Sequence, residues 1–176
     1  MATTRVLVRY NAWANALMFN AVAELPPGEA TKVRRSLFPN MVHTLNHNYI
    51  VASIWRAHLE KREHGFSERS TVSHPPLDEL WSAQRAMDEW YIAFSDGLSE
   101  AALQEPINFT LIGGNQGVMT IADIMLHIVN HTTYHHGYVA DMFYQVPACP
   151  PTTDLPVFLR ETTDSSIVGH PTGKSL

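Results

Sequence analysis

Apolar residues recur at intervals of three and four in several long segments of the chain, which is the spacing of amphipathic helices. The first segment covers residues 4–24 and ends before the helix-breaking Pro26-Pro27-Gly28. The second, residues 40–62, is apolar on more than one face, so we expect neighbouring helices to cover it on several sides. The third covers residues 77–98. Each segment is long enough to span a bundle.

Residues 105–120 interrupt this helical pattern. Two short apolar runs flank Gly113-Gly114-Asn115, which is the composition of a hairpin with a loose turn, so we expect a two-stranded flap. A fourth helix follows directly. Thr120 is its predicted N-cap, Asp123 stands at the position of the capping-box acid, and the periodicity continues to about Gln145.

Four long helices, one hairpin and no internal repeat predict an all-α fold, a four-helix bundle with a small β-hairpin between helices 3 and 4. The connections are longer than a simple up-down bundle needs, so we expect crossover connections. We assign residues 1–146 to the bundle. Residues 147–176 are rich in Pro, Thr and Ser and are expected to form a C-terminal tail with one apolar island at residues 155–159.

Composition and charge limit the classes of function. A chain of 176 residues suffices for one domain and a tail, and an apolar content of 45% excludes a disordered chain. Seventeen acidic and 12 basic residues give a net charge of −5, with no run of Lys or Arg. The electrostatic footprint of a nucleic-acid-binding protein is therefore missing.

The sequence predicts neither a secretory signal nor a membrane span. Its first residues lack a long uncharged core, and no stretch approaches the roughly 18 apolar residues that cross a bilayer. The single cysteine, Cys149, cannot form an internal disulfide, and we interpret it as a bystander rather than a metal ligand. We expect a cytoplasmic protein without nucleic-acid or membrane partners.

The chain contains 10 histidines, and two of them stand out on the fourth helix. Its apolar stripe runs through Ile128, His131, His135 and Met142, which places two imidazoles on the core-facing side. At roughly 100° per residue the two rings lie one turn apart, close enough to share a metal ion. A single buried histidine usually finds a backbone partner, whereas two such polar groups buried together favour a metal site.

Other residues around this pair fit metal chemistry less well. His127 lies roughly 60° and His136 roughly 120° away from the stripe, so we prefer His131 and His135 as ligands. The residue after His131 is Thr132 and not the Glu that acts as general base in HExxH metalloproteases, which argues against that chemistry.

Further ligands are available on the second helix, which carries His43, His47 and His58. Periodicity does not choose among them, because this helix is apolar on several faces. With one of them added, the site has three neutral imidazoles and open positions, which is the arrangement of catalytic rather than structural metal sites. Such ligands suit zinc, nickel, copper or iron, of which we expect zinc or nickel.

Three longer stretches carry a recognisable pattern: YNAWANALMFNAVAELP at 10–26, LNHNYIVASIWRAHLE at 45–60 and IADIMLHIVNHTTYHHGYVADM at 121–142. In their order, spacing and residue identities they resemble the DinB-like (damage-inducible protein B) family. The resemblance covers nearly the whole chain up to about Gln145, and NHTTYHHG is its most specific part.

This resemblance implies a four-helix bundle with crossover connections and one divalent metal held by three histidines. Carried over by motif, these ligands fall on His47, His131 and His135. Other branches of the superfamily include transferases and isomerases that use low-molecular-weight thiols such as bacillithiol or mycothiol. The resemblance therefore implies a metal-dependent thiol S-transferase as the leading function, or a hydrolase, with a small thiol and an electrophile as substrates.

The chain departs from the family pattern around its last ligand. Where the family commonly has HHRGQ or YHRGQ, this chain has His135-His136-Gly137-Tyr138, so His136 replaces an arginine and Tyr138 an amide. Contacts of the family's arginine therefore do not carry over.

Two other functions remain open beside the enzyme. One is a non-catalytic metal-binding stress-response protein, and the other is an interaction bundle; we expect a homodimer. If a metal binds, its histidines need groups that orient them, because a metal-bound histidine usually donates its second nitrogen to an acceptor. The candidates for this second layer are Asn130, Tyr134, Tyr49, His127 and Asp141.

Overall fold

The computed structural model describes residues 3–168 of the chain. Within this range it contains five α-helices, a short 3-10 turn at Ala102–Gln104 and one antiparallel hairpin. The elements are, in chain order, α1 Thr3–Ala23, α2 Met41–Leu59, α3 Leu77–Asp96, β1 Pro106–Thr110, β2 Gln116–Thr120, α4 Ile121–Phe143 and α5 Leu155–Val168. The prediction of a mainly α-helical bundle with a small β-hairpin is confirmed.

Helices α1 to α4 form the bundle. Helix α1 packs against α3 and α4, and α2 packs against the same two helices. Helices α1 and α2 therefore lie at opposite corners of the bundle, and so do α3 and α4. The connections 24–40 and 97–120 cross from corner to corner, as their length led us to expect.

Local sequence signals fix where α2 and α4 begin. Asn40 caps α2, and its Oδ1 accepts a hydrogen bond from the His43 N–H at 2.8 Å. Thr120 and Asp123 form the predicted capping box: the Asp123 N–H donates to Thr120 Oγ1 at 3.1 Å, and the Thr120 N–H donates to Asp123 Oδ2 at 3.3 Å. These caps help set the phase with which the two helices present their histidines to each other.

The two larger of three apolar clusters among the described residues fill the bundle, one toward each end, and the third joins α1 and α4 to Phe158 of α5. The cluster at the hairpin end includes Trp55 of α2 and Ile124 of α4. The cluster at the other end includes Val42 of α2 and Phe143 of α4. The middle turns of α2 and α4 lie between these clusters, and they carry the histidines of the candidate site.

The hairpin is anchored to the bundle by an aromatic side chain. Its strands pair Pro106 with Thr120 at one end and Thr110 with Gln116 at the other. The Phe109 ring lies directly over Gly117 and packs edge-on against the Trp55 ring of α2, with 4.9 Å between the centroids. The expected two-stranded flap is therefore anchored to α2 through Phe109.

Helix α5 lies in the segment that the composition predicted as a tail, and periodicity gave no sign of it. Its Phe158 is buried against α1, with ring centroids 5.9 Å from Tyr10 and 5.6 Å from Trp13. The Tyr10 hydroxyl also donates to the Thr153 carbonyl at 2.8 Å. The apolar island 155–159 thus docks on the bundle, while the domain boundary after residue 146 stays a prediction.

Candidate metal centre

Three histidine rings from two helices meet in the middle of the bundle. His47 comes from α2, and His131 and His135 come from facing turns of α4. Each ring offers one nitrogen, and these nitrogens all lie within 4.8 Å of one another. The ring centroids are 5.0 Å apart for His47 and His131, 4.6 Å for His47 and His135, and 4.4 Å for His131 and His135.

The closest pair already has the spacing that a shared ion requires. The Nε2 atoms of His47 and His131 lie 3.1 Å apart. An ion bound by each imidazole at about 2.0–2.1 Å in a tetrahedral arrangement holds its ligand nitrogens about 3.4 Å apart. A small inward or outward adjustment of the side chains therefore suffices to seat a transition metal.

A backbone carbonyl fixes the proton on His47. Its Nδ1 lies 2.6 Å from the Arg69 carbonyl oxygen. Because a carbonyl oxygen only accepts hydrogen bonds, Nδ1 carries the proton and donates it. In the neutral ring the lone pair is then on Nε2, the atom that faces His131. This is the usual way in which a protein orients a histidine that binds a metal.

Burial keeps all three rings in their neutral form. Burial, together with the neighbouring His135 and His47, lowers the pKa of His131 to about 3. Burial and His47 lower the pKa of His135 to about 4. The pKa of His47 is also lowered, chiefly by burial. Neutral imidazoles have the free lone pairs that metal binding needs.

One side of the group is covered by the segment before α2. The Phe38 ring lies against His47 and His135, with centroid distances of 4.7 and 5.6 Å. The Nδ1 atom of His135 is buried without a hydrogen-bond partner. An orphaned buried nitrogen costs free energy, so this ring gains from a partner such as a metal or a water molecule.

Comparison with known proteins identifies the family of this chain. A model of the DinB family matches residues 1–168. The chain belongs to the DinB family. A curated relative, Protein DinB of Bacillus subtilis (strain 168), is 26% identical over 164 residues, which cover 89% of this chain and 93% of the relative. Membership of the DinB family and the three-histidine group are together compatible with metal binding.

The other histidines that the structure of this DinB-family protein describes lie outside the group. The Nε2–H of His43 donates to the Thr71 carbonyl at 2.6 Å, so this ring helps hold the connection between α2 and α3. His58 lies toward the hairpin end and contacts Trp55. His127 also contacts Trp55, and its ring centroid is 5.7 Å from that of His131. His136 is buried on the other side of α4, where burial lowers its pKa to about 4.

The residues expected to orient the ligands differ in how close they lie to the three histidines. Tyr134 contacts the His135 ring at 5.1 Å, and its hydroxyl lies 2.8 Å from that of Tyr138. Tyr49 packs between the two apolar clusters. Asn130 and Asp141 are exposed, and among the described residues neither bonds to a histidine of the group.

Two contacts of the site come from connections that carry no periodicity. Arg69 contributes its backbone carbonyl, which any residue type supplies, and a positive charge that adds to the lowering of the pKa of His47 and His131. Phe38 lies in an irregular segment, and no motif marks it as a neighbour of the histidines. Sequence patterns therefore reach the ligands on the helices and miss the loops that support and cover them.

The described residues contain no helix of the length and apolarity needed to cross a membrane.

Proposed function

We propose that this DinB-family protein binds one divalent transition metal, zinc or nickel, through His47, His131 and His135 and uses it to transfer a small thiol to an electrophile. The observation that carries the proposal is the convergence of three neutral imidazoles. Among the side chains described, no Cys, Asp or Glu joins them as a fourth ligand. Three protein ligands with a free position are typical of catalytic zinc sites.

A divalent metal bound here supplies a Lewis acid that lowers the pKa of a thiol. The chain's own residues hold the site ready. The Arg69 carbonyl keeps the His47 lone pair pointed inward, and Phe38 excludes water from one side. In the transfer, the S–H bond and the bond from carbon to its leaving group break, and a C–S bond forms. The proton and the leaving group depart together, so no protein nucleophile and no redox partner are needed.

Metal content is the first test. We expect tag-free wild-type protein to carry about one equivalent of transition metal by elemental analysis after reconstitution. His47→Ala and His131→Ala should each lose it. The matched control is His64→Ala, because His64 lies near the hairpin end beside His58 and outside the group. Failure of the wild type to bind zinc or nickel contradicts the proposal.

Thiol transfer is tested separately, with a fluorogenic electrophile such as monochlorobimane and a panel of small thiols. We expect turnover that needs the reconstituted metal and disappears in His131→Ala but not in His64→Ala. Metal-independent turnover, or none with any thiol, contradicts the transferase and leaves metal binding intact.

A non-catalytic metal-binding role is the second candidate, and one observation favours it. The Phe38 ring covers His47 and His135, which restricts access to a bound ion from that side. In that case the metal pins α2 to α4 and stabilises the fold without turning over a substrate. Full metal content together with no activity in the thiol panel supports this role.

A further inference from the structure

A surface pocket lies beside the three-histidine group. Its volume is about 420 Å³, within the range of small-molecule sites. The residues that line it come from the segment before α2 and from the outer turns of α4, and they are Arg35, Ser36, Tyr134, Gly137, Tyr138 and Asp141. None of them is a member of the three-histidine group, although Tyr134 and Tyr138 contact its His135 ring.

The pocket and the metal group share a wall. The ring centroids of Tyr134 and Tyr138 lie 5.1 and 5.8 Å from that of His135. On the other side, Ser36 is two residues from Phe38, the ring that covers His47 and His135. A molecule seated in the pocket is therefore next to the edge of the metal group, and the segment 35–38 contacts both.

The pocket carries one positive and one negative charge that do not neutralise each other. Arg35 and Asp141 form no ion pair in the part of the chain that the structure describes. Asp141 accepts only a 3.3 Å hydrogen bond from Gln145, and the guanidinium of Arg35 makes no hydrogen bond to the described residues. A guanidinium matches a carboxylate in shape and charge, and a carboxylate matches an ammonium group.

Three side chains of the lining carry hydroxyl groups. The Tyr134 and Tyr138 hydroxyls lie 2.8 Å apart, so one donates to the other and the second O–H remains available for a ligand. The Ser36 Oγ is buried and has no partner. Tyr138 stands where the family pattern has an amide, so this lining is a feature of the present chain.

We propose that this pocket binds the charged end of a small zwitterionic thiol, an amino-acid-like molecule whose carboxylate pairs with Arg35 and whose ammonium pairs with Asp141. Its sulfur then extends past the tyrosine wall toward His135. This inference rests on the proposed function for the role of the sulfur, but the charge recognition does not depend on a metal. This charge recognition favours thiols that carry a carboxylate over thiols that lack one.

Charge recognition is tested first without the metal, using S-methyl-L-cysteine, which keeps both charges and has no free thiol. We expect it to shift the amide signal of Gly137, which lies in the pocket lining, in an NMR titration of the wild-type protein. Arg35→Gln and Asp141→Asn should each weaken binding at least tenfold. The matched controls, Arg160→Gln and Glu100→Gln, change exposed charges elsewhere and should bind like the wild type.

The second arm uses the zinc-loaded protein and three probes: L-cysteine, cysteamine, which has no carboxylate, and 3-mercaptopropionate, which has no ammonium. We expect Arg35→Gln to lower the affinity for L-cysteine and for 3-mercaptopropionate and to leave the affinity for cysteamine unchanged. Asp141→Asn should lower the affinity for L-cysteine and for cysteamine and leave that for 3-mercaptopropionate unchanged. Unchanged affinities in both variants, or no shift at Gly137 in the wild type, overturn the inference. Metal content, measured alongside, decides the proposed function independently.

Discussion

The Nε2 atoms of His47 and His131 lie 3.1 Å apart, although 84 residues separate them in the chain. Two helices from opposite halves of the sequence are held so that these atoms meet. Two neutral imidazoles at this distance share at most one hydrogen bond. A cation that both rings bind therefore stabilises the pair more than the rings stabilise each other. The remaining side of the pair is occupied by His135.

A bound metal should therefore stabilise the fold. A ligand that binds only the folded state at 100 times its Kd adds about 2.7 kcal/mol. For a chain of this length that corresponds to a rise in Tm of roughly 5–10 °C. We expect zinc to produce this rise in the wild type and in the control His64→Ala, and to produce none in His131→Ala. Equal rises in all three proteins place the metal elsewhere.

The lowered pKa values predict how few protons the metal displaces. At pH 6, three histidines with the ordinary pKa of about 6.5 would together release about two protons on binding zinc. In this protein the pKa of His131 is lowered to about 3 and that of His135 to about 4, and that of His47 is lowered as well. We therefore expect a release of less than one proton.

The release is measured by isothermal titration calorimetry of zinc at pH 6 in two buffers that differ in ionisation enthalpy. The slope of the observed enthalpy against the buffer enthalpy gives the number of protons. Two or more protons would mean that the rings are protonated, and hence solvated, before the metal arrives.

The helices and their histidines follow from short-range rules, which explains why the sequence predicts them. The i, i+4 spacing of His131 and His135 places both rings on one face of α4 wherever that helix packs. The choice among His43, His47 and His58 on α2 is different, because it depends on how far α2 slides along α4. Spacing alone leaves it open, and the family resemblance selected His47.

The contacts that complete the site depend on long-range packing. The Arg69 carbonyl and the Phe38 ring reach the histidines from irregular connections whose path is set by the whole bundle. The burial of His136 on α4 is also set by long-range packing. A second buried stripe passes through Val129, Thr132 and Val139, and His136 lies in it on the side away from the metal group. The homodimer and the cytoplasmic location stay predictions.

Replacement by alanine should have opposite effects on stability at two glycines, Gly117 in the hairpin and Gly137 in α4. A Cβ at Gly117 would lie 2.5 Å from Cζ of Phe109, so Gly117→Ala must displace the ring from Trp55. We expect a loss of about 1–3 kcal/mol in the free energy of unfolding, as for other overpacked sites. A Cβ at Gly137, inside α4, meets nothing within 4 Å. Gly137→Ala should instead gain up to about 1 kcal/mol, because alanine favours the helix.

Urea denaturation followed by tryptophan fluorescence measures both changes. If the steric conflict is the cause, Gly117→Ala combined with Phe109→Leu should lose less than the sum of the two single changes. Strict additivity would show that the Phe109 ring is not what excludes a side chain at Gly117.

A buried carboxylate between α1 and α3 gives a pH-dependent prediction. Asp88 accepts hydrogen bonds from Asn15 Nδ2 at 3.0 and 3.1 Å and from Gln84 Nε2 at 3.0 Å. Burial raises its pKa to about 7, and the two amide donors only partly oppose that rise. In the unfolded chain an aspartate titrates near pH 3.9. Between about pH 4 and pH 7 the folded protein therefore retains a proton that the unfolded chain has released.

Stability contributed by this group is consequently present at low pH and is lost as the pH rises through that window. The asparagine of Asp88→Asn does not titrate. The free energy of unfolding of this variant minus that of the wild type should therefore increase as the pH rises from 5 to 7. The gain is at most about 1.4 kcal/mol per pH unit and should level off above pH 8. Buried histidines such as His136 produce the opposite slope, but they do so in both proteins and cancel in the difference.

Urea denaturation at pH 5, 6, 7 and 8 measures the difference, with the exposed neighbour Glu89→Gln as the control. A difference that stays constant across this range would mean that Asp88 is ionised throughout and that its amide partners fully compensate its burial.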